Sequence, residues 1–226
     1  MDEHIVELRS RERVELVATL RDVGPDASTL CSRWSAADIA AHLAVSEQAL
    51  GLPLVVFNGI RRVVPAQVTR RVIERSQAAG ERLNRRMKAR GWDALLQRLA
   101  NGPPRLYRYG TVAHLRLVEE WIHHEDVRRG VGQPRRTLST DFEAALWNAG
   151  IEVARFPEFQ LGRGGIELDA GHGRRLRIGD DAPVRLRVAG SPGELLLFFA
   201  GRGAAADVQV DGDDDVIRSI QPGLRV

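Results

Sequence analysis

Thr111-Val112-Ala113-His114-Leu115-Arg116-Leu117-Val118-Glu119-Glu120-Trp121-Ile122-His123-His124-Glu125-Asp126-Val127-Arg128-Arg129, stopped by Gly130, reads as one long helix. It carries two Glu/His pairs at i, i+4, the spacing at which side chains lie on one helical face and can share a metal. At roughly 100° per residue, Leu115, Val118 and Ile122 form an apolar stripe. Glu119, His123 and Asp126 flank that stripe, inside or near the core. Glu120 and His124 turn away from it and read as a solvated ion pair. A metal in a helical interior would therefore take Glu119 and His123. A stable site needs a third ligand, and His42 is the candidate, on a helix face with Ile39, Leu43 and Ser46 and among the small Ala40, Ala41 and Ala44. The spacing leaves a second reading open, with His42 a core histidine bonded to a backbone carbonyl and Glu119/His123 a part-buried ion pair.

The chain on either side of this helix reads as helical for two-thirds of its length. Glu12–Val23 has helical apolar spacing and stops at Gly24-Pro25-Asp26. Ser35 and Asp38 form a capping box for a helix to about Glu47, with Trp34 placed to staple on Ile39. Residues 61–90 are spaced for one or two helices, Trp92–Ala100 for a short one, and Thr140-Asp141-Phe142-Glu143 opens another as a capping box. After Phe156-Pro157 the period changes. Ile166-Glu167-Leu168 and Leu176-Arg177-Ile178 alternate like a hairpin, Val184–Val188 alternates strictly, Leu195–Ala200 is an apolar helix, and Asp207–Asp211 is a further strand. The expected fold is mainly α: a helical domain at 1–156 and a small α+β domain at 157–226.

Composition narrows the function classes. The chain has 226 residues, 43% apolar and 28% charged, enough apolar content for a core and too much for disorder. Its longest apolar runs, Leu52–Phe57 and Leu195–Ala200, are far short of the roughly 18 residues of a membrane span. An acidic, charged start and a lone Cys31 fit a reducing, cytoplasmic setting without a secretory signal or membrane partner. Of the 33 basic residues 32 are arginine, yet the net charge is only +3. Acidic residues interleave with the arginines, and only Arg105-Leu106-Tyr107-Arg108-Tyr109 mixes arginine with stacking aromatics, too short a platform for nucleic acid. Cys31 reads as an incidental loop thiol, and Asp211-Gly212-Asp213-Asp214-Asp215 as a turn and helix cap without the spacing of a calcium loop.

The run from Gly24 to Trp34, followed by Asp38-Ile39-Ala40-Ala41-His42-Leu43, resembles the opening of actinobacterial metal-binding proteins. These belong to the mycothiol-dependent maleylpyruvate isomerase family, within the DinB-like four-helix bundles. The family's later motif is a glutamate, three residues, a histidine, two residues and an aspartate, which Glu119, His123 and Asp126 match. Ala189–Leu195 and Gly201-Arg202 resemble its small, sterol-carrier-like C-terminal domain. The resemblance covers most of the chain and is weak from Gly51 to Arg90. It implies a DinB-like four-helix-type bundle followed by that α+β domain, and a divalent metal, zinc, held by His42, Glu119 and His123. It also implies mycothiol as a cofactor, a small-molecule thiol that metal binding converts to a nucleophile for isomerisation or thiol transfer on a small substrate. Asp126 would then orient His123 or an arginine. Arg128 and Arg129 would either hold an anionic substrate or form a solvated helix end. The alternative is a metal-binding protein without turnover, a sensor or sequestering protein, because the motif supplies ligands but no recognisable general acid or base.

Overall fold

The computed structural model describes residues 2–49, 80–103, 110–153, 165–179 and 183–220. The Leu52–Phe57 run, the helices expected over 61–79, the Arg105–Tyr109 cluster and the expected domain boundary at 156/157 lie outside the described residues. The chain divides into two compact units, one of residues 1–29 and 34–113, the other of residues 30–33 and 114–226.

In the first unit α1 (Asp2–Val23) and α2 (Ala36–Ala49) are followed by helical residues 80–88 and by α3 (Trp92–Asn101). Helix α1 starts ten residues before the expected Glu12, because Ile5 and Leu8 extend its buried face. It ends at Gly24, whose φ of 80° lets its N–H reach Leu20 O at 3.1 Å. Asp38 accepts from the backbone N and the Oγ of Ser35 at 3.0 and 2.9 Å, so the box that opens α2 forms. Helix α3 packs on both α1 and α2, burying Leu95, Leu96 and Leu99 in a core with Leu16, Leu20, Ile39 and Leu43. Glu47 is buried between Arg9 and Arg13, and Arg13 Nη1 also donates to Leu99 O at 3.0 Å, a charged tie across three helices.

The second unit is built on α4 (Gly110–Gly130), which enters it at His114. Helix α5 (Thr140–Leu146) runs into a π-helical turn, Trp147–Val153. Its cap is Ser139, not the expected Thr140: Ser139 Oγ accepts from Phe142 N at 3.3 Å. Glu143 of the expected box instead accepts from Gly193 N. Strands β1 (Gly165–Asp169), β2 (Arg175–Ile178), β3 (Val184–Ala189) and β4 (Gln209–Gly212) form one mixed sheet in the order β2-β1-β3-β4, with only the β1/β3 pair parallel. Ile166, Leu168, Ile178, Leu186 and Val188 are buried on one face. On the other, register aligns Arg177, Glu167, Arg187 and Asp211 across the four strands in alternating sign. That face is charged but nearly self-neutralising, a poor surface for a polyanion.

Helix α6 (Pro192–Leu197) is buried at every position and packs on α5 and on the π-turn that follows it. It continues as a second π-helical turn, Phe198–Arg202, broken by Gly201 at φ 92°. Gly193 lets α6 approach α4 closely: a Cβ there would meet the Trp121 ring at 2.8 Å. Helix α7 (Asp214–Ile220) packs on β3 and β4, where Arg185 donates to Asp213 and Asp215 at 2.7 and 2.8 Å. The acidic turn at 211–215 thus works as a turn and cap. The expected mainly helical part followed by a small α+β part is what the chain forms. No helix among the described residues is long and apolar enough to cross a membrane.

Candidate metal centre

Glu119 and His123 stand one turn apart on α4, both half-buried. Each is held from its own helix. Arg116, three residues before Glu119, donates Nη1 to its Oε2, and His123 Nδ1 lies 2.9 Å from Asp126 Oδ2. His42 is on α2 of the first unit, half-buried among the fully buried Ala40, Ala41 and Ala44. Its imidazole lies 4.9 Å from the Trp34 ring, tilted by 48°. Trp34 is thus placed beside His42.

Glu120 and His124 correct the sequence reading. They are 3% and 1% exposed, not a solvated pair. The apolar stripe predicts a one-sided helix, whereas α4 also buries Leu117, Trp121, Glu125, Asp126 and Val127. Its more open stripe is Leu115, Glu119 and His123. Glu119 and His123 therefore lie on the less buried side of α4.

Asp126 is a buried carboxylate met by three side chains, Cys31, His123 and Arg202. Arg202 grips it as a fork, Nε to Oδ1 at 2.8 Å and Nη2 to Oδ2 at 2.7 Å. The Cys31 thiol donates to Oδ2 at 3.2 Å and accepts from Arg202 Nη2 at 2.9 Å. Leu30 N donates to the Asp126 backbone oxygen at 2.9 Å, which fixes the loop that carries Cys31. Burial alone pushes the Asp126 carboxyl up, but the Arg202 and His123 partners hold it down at about 2. Burial, and then the charge of Asp126, push the Cys31 thiol up to about 12. Cys31 is thus a buried thiol held in its protonated form. The donor atoms of Cys31, His123 and Asp126 lie within 4.8 Å of one another, close enough to share a metal. Their lone pairs, however, already serve Arg202 and the thiol proton, and a metal there would have to displace both.

Arg129 is part-buried, and its guanidinium is engaged within the fold. It donates Nε to Glu125 at 2.6 Å, Nη2 and Nη1 to Glu194 at 2.7 and 3.1 Å, and Nη1 to Ala205 O at 2.7 Å. Arg136 completes Glu125 at 2.7 Å. This network ties α4 to α6. Arg128 Nη2 reaches Pro134 O at 3.2 Å. Sequence reasoning singles out Asp126 by its place in the motif but takes Cys31 as incidental and Arg202 only as part of the C-terminal resemblance, without joining either to Asp126. They meet it from 95 and 76 residues away.

A search among curated proteins finds no match. Two solved structures share the fold. One is a crystal structure of the mycothiol-dependent maleylpyruvate isomerase, 16% identical over 94% of each chain, with a TM-score of 0.51. The other is a histidine-to-alanine mutant of that enzyme, with the same identity and coverage and a TM-score of 0.50. The sequence profile of the mycothiol maleylpyruvate isomerase N-terminal domain matches residues 7–128, more than half of the chain and every residue from His42 to Asp126. The chain belongs to the mycothiol maleylpyruvate isomerase N-terminal domain family.

Proposed function

We propose that this protein is a metal-dependent enzyme in which His42, Glu119 and His123 hold one divalent metal, zinc. In this reading the metal serves an exogenous thiol of the mycothiol type in isomerisation or thiol transfer on a small, anionic substrate. The observation that carries it is the arrangement on α4. Arg116 occupies one oxygen of Glu119 and Asp126 occupies Nδ1 of His123. Glu119 Oε1 and His123 Nε2 are the atoms that would meet the metal, on the half-buried stripe of the helix. Two imidazoles and one carboxylate suit zinc and leave a coordination position for a further ligand. Bound zinc would make a coordinated thiol a thiolate at neutral pH. The chain's own contribution is orientation: Trp34 against the His42 ring, Arg116 on Glu119, Asp126 on His123. The only cysteine, Cys31, is buried with its pKa pushed up to about 12, which supports a nucleophilic sulfur supplied from solution.

Elemental analysis after zinc loading tests the ligand set. The wild-type protein should carry one zinc per chain, and His42→Ala, Glu119→Ala and His123→Ala should each lose it. The thiol is tested on cobalt-substituted protein, where adding mycothiol should produce a sulfur-to-metal charge-transfer band, unchanged in Cys31→Ser. A fully loaded protein that shows no band with mycothiol refutes the thiol mechanism and leaves a metal-binding protein without turnover.

A further inference from the structure

We propose that Arg202 and Cys31, acting through Asp126, are positioning residues that lock the His123 ring in its Nδ1–H form. The lock is a property of the metal-free chain, and only its consequence for metal affinity rests on the reading above. Asp126 is fully buried, and its two oxygens face four donors. A carboxylate gripped at both oxygens by a guanidinium fork is an acceptor towards whatever else it meets. The imidazole nitrogen facing it must then carry the proton, and in a neutral ring this puts the lone pair on Nε2. Cys31 adds a third donor at Oδ2 and accepts from the same guanidinium, which keeps the carboxylate from rotating out of line with the ring.

Three separate stretches build this lock. The loop at 30–33 brings the thiol and is pinned by Leu30 N to the Asp126 carbonyl. Helix α4 brings Asp126 and His123 three residues apart. The π-turn Phe198–Arg202, reversed at Gly201, brings the guanidinium, which Ala200 O also holds from its Nη1 side. A residue of the C-terminal part would thus set the position of one proton on a ligand of the N-terminal family motif.

The test is the tautomer itself, read from proton–nitrogen correlation spectra of metal-free protein labelled with nitrogen-15 histidine, with His123 assigned through His123→Gln. Wild-type His123 should show the Nδ1–H pattern. Asp126→Ala should move it towards Nε2–H, and Arg202→Met should weaken it. Cys31→Ser, which keeps a donor, should leave it unchanged. Zinc affinity, measured by competition with a chromophoric chelator, should fall about 10–100-fold in Asp126→Ala and in Arg202→Met. Should Arg202→Met fail to fold, Arg202→Lys keeps the charge without the fork and should still lose the Nδ1–H signature in part. A wild-type His123 in the Nε2–H form, or a tautomer unmoved by both Asp126→Ala and the Arg202 variants, overturns the lock. Wild-type protein that takes up no zinc but shows the Nδ1–H form refutes the metal reading and supports the lock.

Discussion

Arg129→Met removes the cation from a buried ionic network of the second unit while keeping an apolar stem of similar length. The guanidinium makes four hydrogen bonds, one to Glu125, two to Glu194 and one to Ala205 O. Both carboxylates are buried, at 1% and 3% exposure. After the change Glu125 keeps Arg136. Glu194 keeps the N–H of Asp207 at 2.8 Å but loses its countercharge. Removing one partner of a buried ion pair costs about 3–5 kcal/mol, chiefly because the remaining charge is stranded. The surviving Arg136 places this case towards the lower figure, about 3 kcal/mol, which for a chain of this length is a drop of roughly 10 °C in Tm. Urea unfolding followed by tryptophan fluorescence measures it, together with Glu194→Gln and the double variant. Gln still accepts from Asp207 N–H without a charge, so Glu194→Gln in the Arg129→Met background should recover about 1–2 kcal/mol. A single-variant loss below about 1 kcal/mol, or a cycle additive within ~0.5 kcal/mol, would show that Arg129 is solvated and not part of a buried tie.

Four further outcomes follow from the same geometry. His124→Ala should keep its metal but lose about 2–3 kcal/mol, because it empties a fully buried site; loss of metal with unchanged stability would shift the ligand register by one residue. Asp126, held at about 2 when folded, stabilises the protein above the ordinary carboxylate range, and that stabilisation is lost as pH falls from about 4 towards 2. It is worth about 2 kcal/mol at neutral pH, so the urea midpoint of Asp126→Asn should depend less on pH between 5 and 3 than that of wild type, and equal slopes would contradict the assignment. Zinc addition should change Trp34 emission, since its ring lies 4.9 Å from that of His42, and Trp34→Phe should abolish the change; a Trp34→Phe protein with the full response would exclude Trp34 as the reporter. Cys31 should react slowly with an aromatic disulfide in native protein and rapidly in urea, whereas fast native labelling would contradict a buried, protonated thiol.

What the sequence made legible was local. Ser35 and Asp38 are three residues apart and form their box, and Leu186-Arg187-Val188 alternates and buries alternately. The Asp126 contact with His123 lies within one helical turn, so the motif could carry it. Cys31 and Arg202 gave no such signal. Their partner is on another element, and although Gly201-Arg202 shares in the family resemblance, nothing local says that this arginine reaches Asp126. The burial of Glu120 and His124 failed for a different reason. A period of apolar residues identifies the buried side only when the opposite side meets water. Helix α4 has polar residues buried on several faces, so Leu115, Val118 and Ile122 marked no boundary with solvent.

That burial gives α4 a division of labour. At roughly 100° per residue, Glu119 and His123 fall within about 40° of each other, whereas Glu125 and Arg129 point about 80–160° away from them. The structural ion network and the candidate ligands therefore use different sides of one helix. Both nevertheless depend on the chain after α4, through Glu194 for one and Arg202 for the other. Eight residues of one sequence separate these two partners, with α6 and its π-turn between them. A change that shifts α6 along its axis should then disturb stability through Glu194 and the His123 proton through Arg202 together. Gly193→Ala is that change, since its Cβ would meet the Trp121 ring at 2.8 Å. If its His123 resonances stay at their wild-type positions while stability falls, the two networks are mechanically independent and α6 is not the element that joins them.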